Sequence, residues 1–350
     1  MSTRSLGEPR TAALPRSFLL WLGAATLSTW GDSVMYFALG WAATGIGPQW
    51  GGVVLTTVLL PRTVLLLDAF SLPATGSFPR LFVDDADLPR ALALTSSAGR
   101  LVRLGAGPAG GLLVALAGLS GAAVVDAASF AVVLGVLVVI RPRHEAPPSA
   151  AAGPLWHQVA DGLRLVRGSP TLRTALGSVS LVATFLLPVA SLCIPLLARA
   201  HAWSAVTSGV LGAATVAGAL SVTLLVARRG ASGPPMLVAG SGLLVAGTGT
   251  LAVAWSPWAG VAVTGALVQG VGTALFTSRV GPILLGSAPR THLARVQSLL
   301  VLVQAAPLVV AMPLLGSLAA WAGAGAATTT CAVGTATAGV VLLRQRRPAS

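Results

Sequence analysis

Apolar residues run along this chain in long unbroken blocks, with neither the stripe of a soluble amphipathic helix nor the alternation of a half-buried strand. Ten blocks stand out, near 18–46, 51–67, 101–118, 122–140, 174–197, 207–227, 234–255, 259–279, 295–320 and 324–343. About 20 apolar residues in helical form cross the ~30 Å hydrocarbon core of a bilayer. The pattern predicts an all-α polytopic membrane protein of about ten transmembrane helices. The block at 51–67 is the weakest of them, being short and containing Pro61 and Arg62. Met1–Ser17 is polar and the first block is too long for a signal-peptide core, so no cleaved leader is expected.

Composition agrees with the pattern. Of 350 residues, 55% are hydrophobic and 9% charged, where soluble domains carry about 25% charged residues. That balance excludes a soluble enzyme, a disordered chain and a nucleic-acid binder. The formal net charge of +13 gains its meaning from position. With the N-terminus inside and the blocks alternating, the arginines gather at inner ends and inner connections, from Arg4, Arg10 and Arg16 to Arg344, Arg346 and Arg347. Arg199 alone falls on an outer connection, and Arg62 lies within a block. The outer connections hold Trp50, Trp203, Trp255, Trp258 and Trp321. Arginine inside and indoles at the headgroup layer are two separate signals for an N-in, C-in topology.

The blocks divide unequally. A first half (1–140) carries four, a second (174–350) carries six, and an inner segment (141–173) joins them. That segment has a proline-bearing linker. An amphipathic stretch follows, with Leu155, Trp156, Val159, Leu163 and Val166 on one face, as expected of a helix lying on the membrane surface. An internal repeat links the halves: Pro108–Gly118 aligns without gaps on Pro313–Gly323, with six of eleven positions identical. Parallel repeats about an inner loop are a common plan of secondary transporters. The stretch 68–100 contains no block able to cross, so the first half is two helices short of the second.

Few residues carry chemistry. A carboxylate inside a span costs about 2.5–3.5 kcal/mol on insertion scales and marks a functional position by default. Asp32 lies near the middle of the first block, with Thr29, Ser33 and Tyr36 on the same helical face. It is a proton-coupling or cation-recognising acid, or else a structural polar contact. Asp126, close to the outer connection at Ser120–Gly121, is expected to meet water or cap a helix, or else to share in proton coupling. Arg62 either pairs with Asp32 or snorkels to the inner face. In the second half Gln269, Thr273 and Thr277 share one helical face, and Gln297 and Gln304 another. Each stripe either lines a cavity or makes interhelical hydrogen bonds. Gly209, Gly212, Ala214 and Gly218 form small-residue faces for close packing, and Gly105–Gly111 a kink and packing site. Cys193 and Cys331 read as small buried apolar residues. No phosphate-cradling loop, metal spacing or nucleophile with its base is present, so neither enzyme activity nor a cofactor is expected.

Several stretches together resemble the major facilitator superfamily, in particular its bacterial branch of enterobactin exporters and macrolide-efflux-type permeases. They are Leu27–Trp41 with its Gly31-Asp32 pair, Asp87–Leu94, Asp126–Phe130, and Gly162–Arg173 before the fifth block. Against that family Leu55–Leu67 resembles the start of helix two and Asp68–Thr75 the end of helix four, with the intervening helix and signature loop absent. The resemblance implies a monomeric secondary transporter of the bacterial cell membrane. Its expected action is proton-coupled efflux of lipophilic or amphipathic small molecules by alternating access. The shortened first half leaves open a truncated remnant that inserts without transporting.

Overall fold

The computed structural model describes residues 14–64, 79, 81–84, 87–140, 170–230, 232–286 and 293–344. All regular secondary structure among them is helical. In lipid no water is present to satisfy backbone polar groups, so an apolar chain bonds within its own helices.

The elements are α1 (Arg16–Ile46), α2 (Pro48–Val64), α3 (Leu88–Val139), α4 (Pro170–Pro188), α5 (Ile194–Ala200), α6 (Ala205–Arg229), α7 (Pro235–Trp255), α8 (Ala259–Gly286), α9 (Leu293–Ala322) and α10 (Ala324–Arg344). Each apolar block falls on described helix, apart from residues 65–67 of the second and the terminal residues 140 and 234 of two others. Among the described residues, seven helical segments are long and apolar enough to cross a membrane. Two departures from the simple pattern occur. The 52 residues of α3 include Gly118 at φ 65, ψ −164, a conformation restricted in practice to glycine, and it splits α3 into two arms. Between α4 and α5 the chain winds as a π turn, Val189–Cys193. Pro188 stands directly before it and lacks an N–H to donate to the preceding turn.

The first arm of α3 begins at Leu88, well before the predicted start near 101, with Asp87 at its N-cap position. The amphipathic surface helix and the linker at 141–169 lie outside the described residues, as do 68–78, 80 and 85–86 of the stretch 68–100.

Helices α1–α3 meet α4–α10 along two seams, α3 against α6 and α2 against α9. Both seams are backbone contacts. A Cβ on Gly107 would stand 2.7 Å from the Gly209 carbonyl oxygen, and one on Gly209 would overlap the Gly107 carbonyl and reach Pro108 Cα at 3.0 Å. Across the other seam, a Cβ on Gly52 would overlap the Met312 carbonyl and meet Pro313 Cα at 3.1 Å. A Cβ on Gly316 would stand 2.7 Å from the Pro48 carbonyl oxygen. The two copies of the internal repeat therefore form the two seams. Each copy ends on a glycine of positive φ, Gly118 at 65° and Gly323 at 88°. Within α4–α10, α7 packs between α8 and α10, α6 lies on α8, and α4 lies on α9 and α10. A buried cluster joins Leu55, the π turn, α5, Leu211, Met312 and Cys331.

The α1–α2, α5–α6, α7–α8 and α9–α10 connections and the α3 break share one end of the bundle, where Trp50, Trp255, Trp258 and Trp321 are exposed. Arg228 and Arg229 occupy the last turn of α6 at the opposite end, where cations complement the helix C-terminus. Arg279 is buried in α8 and donates from Nη2 to the Ser232 carbonyl at 2.6 Å, tying α8 to the α6–α7 connection.

Candidate functional site

A cavity of about 590 Å³ lies where the two groups of helices face each other. One wall is α1 with Thr29, Asp32, Ser33, Tyr36 and Phe37, and the first arm of α3 with Ala106 and Gly107. The facing wall is Leu187, Ala190, Ser191 and Pro195 around the π turn, Gly212 and Val216 of α6, and Leu308 and Met312 of α9. Residues spaced three and four apart share a helical face, which is why Thr29, Asp32, Ser33 and Tyr36 arrive there together. The hydroxyl protons of Thr29 and Ser33 are already used. Thr29 donates to the Ala25 carbonyl at 2.8 Å and Ser33 to the Thr29 carbonyl at 2.7 Å, so both turn oxygen lone pairs outward. The π turn places Ala190 and Ser191 on the wall opposite.

A second cavity of about 260 Å³ shares Leu187 with the first. Val179, Val182, Ala183 and Leu186 of α4 line it, with Thr273, Phe276, Thr277 and Val280 of α8 and Leu300 and Gln304 of α9. Its α4 residues precede those of the larger cavity, so the pair extends away from the tryptophan-bearing end.

The sequence matches no family model and no curated protein. Solved structures do match in shape. A bacterial homologue of the iron transporter ferroportin, in an inward-facing state, aligns at a TM-score of 0.70 and 13% identity, covering 96% of this chain and 100% of that one. A bacterial homologue of the human lysosomal transporter Spinster aligns at 0.58 and 16%, covering 96% and 90%. The POT family transporter PepTSo aligns at 0.62 and 9%, covering 95% and 98%. The chain shares its fold with these transporter structures.

Within this fold the expected site residues separate. Asp32 and Tyr36 line the main cavity; Thr273, Thr277 and Gln304 line the second. Gln269 lines neither. It is 2% exposed, with its backbone against Gly249 of α7, and its Oε1 has no hydrogen-bond partner among the described residues. The α8 stripe splits because α7 covers the Gln269 turn. Gly212 also departs from expectation: open space surrounds it, and it lines the cavity, whereas Gly209 and Gly218 pack on Gly107 and on the Leu267 carbonyl. Asp126 is not among the residues lining either cavity. The second arm of α3 lies on α1, and a Cβ on Gly31 would stand 3.0 Å from Asp126 Oδ1, beside the Asp32 face. The side chains of Arg62 and Gln297 lie outside the described residues.

Two features had no motif to announce them. Cys193 and Cys331 are both buried, with Sγ atoms 3.9 Å apart between the π turn and α10. Arg199, on α5, reaches across to the end of α1. Its Nε donates to Thr44 Oγ1 at 3.1 Å, its Nη2 to the Trp41 carbonyl at 2.6 Å, and the guanidinium lies 4.4 Å from the Trp41 ring centre. Its solitary place on an outer connection was the available signal. No group of three or more metal-ligating side chains occurs among the described residues.

Proposed function

We propose that this chain is a proton-coupled secondary transporter that exports lipophilic or amphipathic small molecules by alternating access, through the cavity around Asp32. The observation that carries the reading is that cavity. It lies between the two groups of helices, its lining is mainly apolar, and Asp32 is the charged residue on it. Phe37, Leu187, Leu308 and Met312 offer surface to a lipophilic body. The outward lone pairs of Thr29 and Ser33 beside the Asp32 carboxylate make the polar patch an acceptor surface, suited to a cationic or hydrogen-bond-donating group. An intramembrane carboxylate is also the usual carrier of a transported proton. Competition between proton and substrate for Asp32 would couple the two fluxes.

The reading takes residues 1–140 and 174–350 as the moving halves, about ten spans as four plus six, and both termini cytoplasmic. The arginine and tryptophan distribution supports that orientation. The resemblance to the enterobactin-exporter and macrolide-efflux branch supports the export direction. In proteoliposomes, a pH gradient should drive movement of a lipophilic cationic dye, an uncoupler should stop it, and Asp32→Asn should remove it with insertion intact. Gradient-driven transport that survives in the Asn variant overturns the role of Asp32. No transport of any compound in a broad panel overturns the function and favours the inactive remnant.

A further inference from the structure

We infer that Arg199 is a gating residue, the latch that holds the cavity shut at the tryptophan-bearing end. The inference rests on the transporter reading but concerns a different contact from Asp32.

The latch lies between the two groups of helices. Arg199 belongs to α5, while Trp41 and Thr44 belong to α1, and these helices carry the last cavity-lining residues toward that end, Pro195 and Phe37. Arg199 follows Pro195 by four positions, and Trp41 follows Phe37 by four. Each interval is about 6 Å along a helix. The contact therefore sits one turn beyond the cavity on both walls. In the other direction the space continues past Leu187 into the second cavity. The chain is closed at one end by side chains and hollow toward the other.

The chemistry suits a contact that must open. The closest approaches of the seams, at Gly107, Gly209, Gly52 and Gly316, are to backbone atoms, which cannot let go and re-form as a side chain can. The guanidinium instead makes two hydrogen bonds and a stacking contact, each replaceable by water because Arg199 is exposed at the rim. The seat is specific. Trp41 and Thr44 present a carbonyl and a hydroxyl near the C-terminus of α1, where the helix dipole favours a cation. Gly45 leaves room for the guanidinium, since a Cβ there would lie 2.7 Å from Nη2. Lysine has neither the planar fork nor the stacking face for this seat.

The test reads accessibility, with no substrate or gradient, so failure of the transport reading leaves it interpretable. Ser191→Cys places a thiol on the cavity wall, and the parent protein gives the background of the two buried native cysteines. In intact cells a membrane-impermeant maleimide should label Ser191→Cys slowly. Adding Arg199→Ala should raise the rate several-fold, with Arg199→Lys in between. Gly45→Ala, which keeps the arginine but fills its seat, should raise it as well and serves if Arg199→Ala fails to reach the membrane. Labelling from the cytoplasmic face of inside-out vesicles should stay level or fall. Unchanged outside labelling in both the Arg199→Ala and Gly45→Ala proteins overturns the latch, as does a rise confined to the cytoplasmic face.

Discussion

The α3–α6 seam makes a sharp prediction because two glycines of one helix provide their own control. Gly105 and Gly107 are both glycines of the first arm of α3, and alanine at either removes backbone freedom from the unfolded chain. That gain is about 0.5–1 kcal/mol in a helix interior and is common to both. They differ in what a methyl group meets. Around Gly105 nothing lies within 4 Å, whereas at Gly107 the new Cβ would stand 2.7 Å from the Gly209 carbonyl oxygen. Ordinary contact begins near 3.4 Å, so α3 and α6 must separate by roughly 0.7 Å at that level. Overpacking of this kind costs about 1–3 kcal/mol. Gly105→Ala should therefore equal or exceed the parent in thermal stability in detergent, while Gly107→Ala should fall below Gly105→Ala by the equivalent of about 1–3 kcal/mol. Melting curves followed by size-exclusion chromatography of the heated protein give the comparison. Equal midpoints for the two alanine variants would refute the close backbone seam. A loss at Gly105 with none at Gly107 would place the interface on the wrong face of α3.

Other predictions concern single positions. Asp32→Asn should reduce gradient-driven dye movement to the level of empty liposomes and flatten its pH dependence, with the same amount of protein inserted. Gly118→Ala puts a side chain into a backbone conformation that costs about 1–3 kcal/mol outside glycine, so its melting point should drop below that of Gly135→Ala, where nothing crowds the added methyl. A cysteine replacing Ser120 should label from outside the cell and one replacing Ser232 only from within; the reverse pattern would invert the proposed topology. Gln304→Ala should change the selectivity of transport among dyes more than Gln269→Ala, because only Gln304 lines a cavity.

What the sequence made legible follows from the solvent. In lipid a span is recognised by unbroken apolarity, so the helices fell close to the expected blocks, and Asp32 stood out as a charge where charges are costly. The glycines were less readable. Gly209 and Gly212 are three residues apart on one small-residue face, yet one touches α3 and the other opens onto the cavity. Helical spacing fixes which residues share a face but not where the facing helix stops. The stripe of Gln269, Thr273 and Thr277 divided for the same reason. Arg199 was conspicuous without being interpretable, because its partners are a hydroxyl and a main-chain carbonyl more than 150 positions away. A backbone carbonyl leaves no mark in composition. Cys193 and Cys331 likewise meet only because the π turn and α10 pack together.

The internal repeat, faint as a string of letters, becomes meaningful through its contacts. Pro108 and Pro313 hold equivalent places, each approached by a glycine of a helix from the other group, Gly209 in one seam and Gly52 in the other. Gly111 and Gly316 hold the next equivalent pair, against Ala205 and Pro48. Gly52 and Gly209 are themselves separated from Pro48 and Ala205 by the same four residues. One glycine-and-proline contact thus occurs twice, on opposite sides of the cavity, related by exchange of the two groups. Contacts between backbones have no long side chains to disengage, so they tolerate a small roll of one helix on the other while resisting separation. A bundle hinged on two such seams needs its resting state chosen elsewhere, by side chains at its ends that can bind and release. Arg199 on Trp41 and Thr44 has that character at one end. On the proposed alternating-access reading, the seams would set the axis of motion and the latch which mouth is closed.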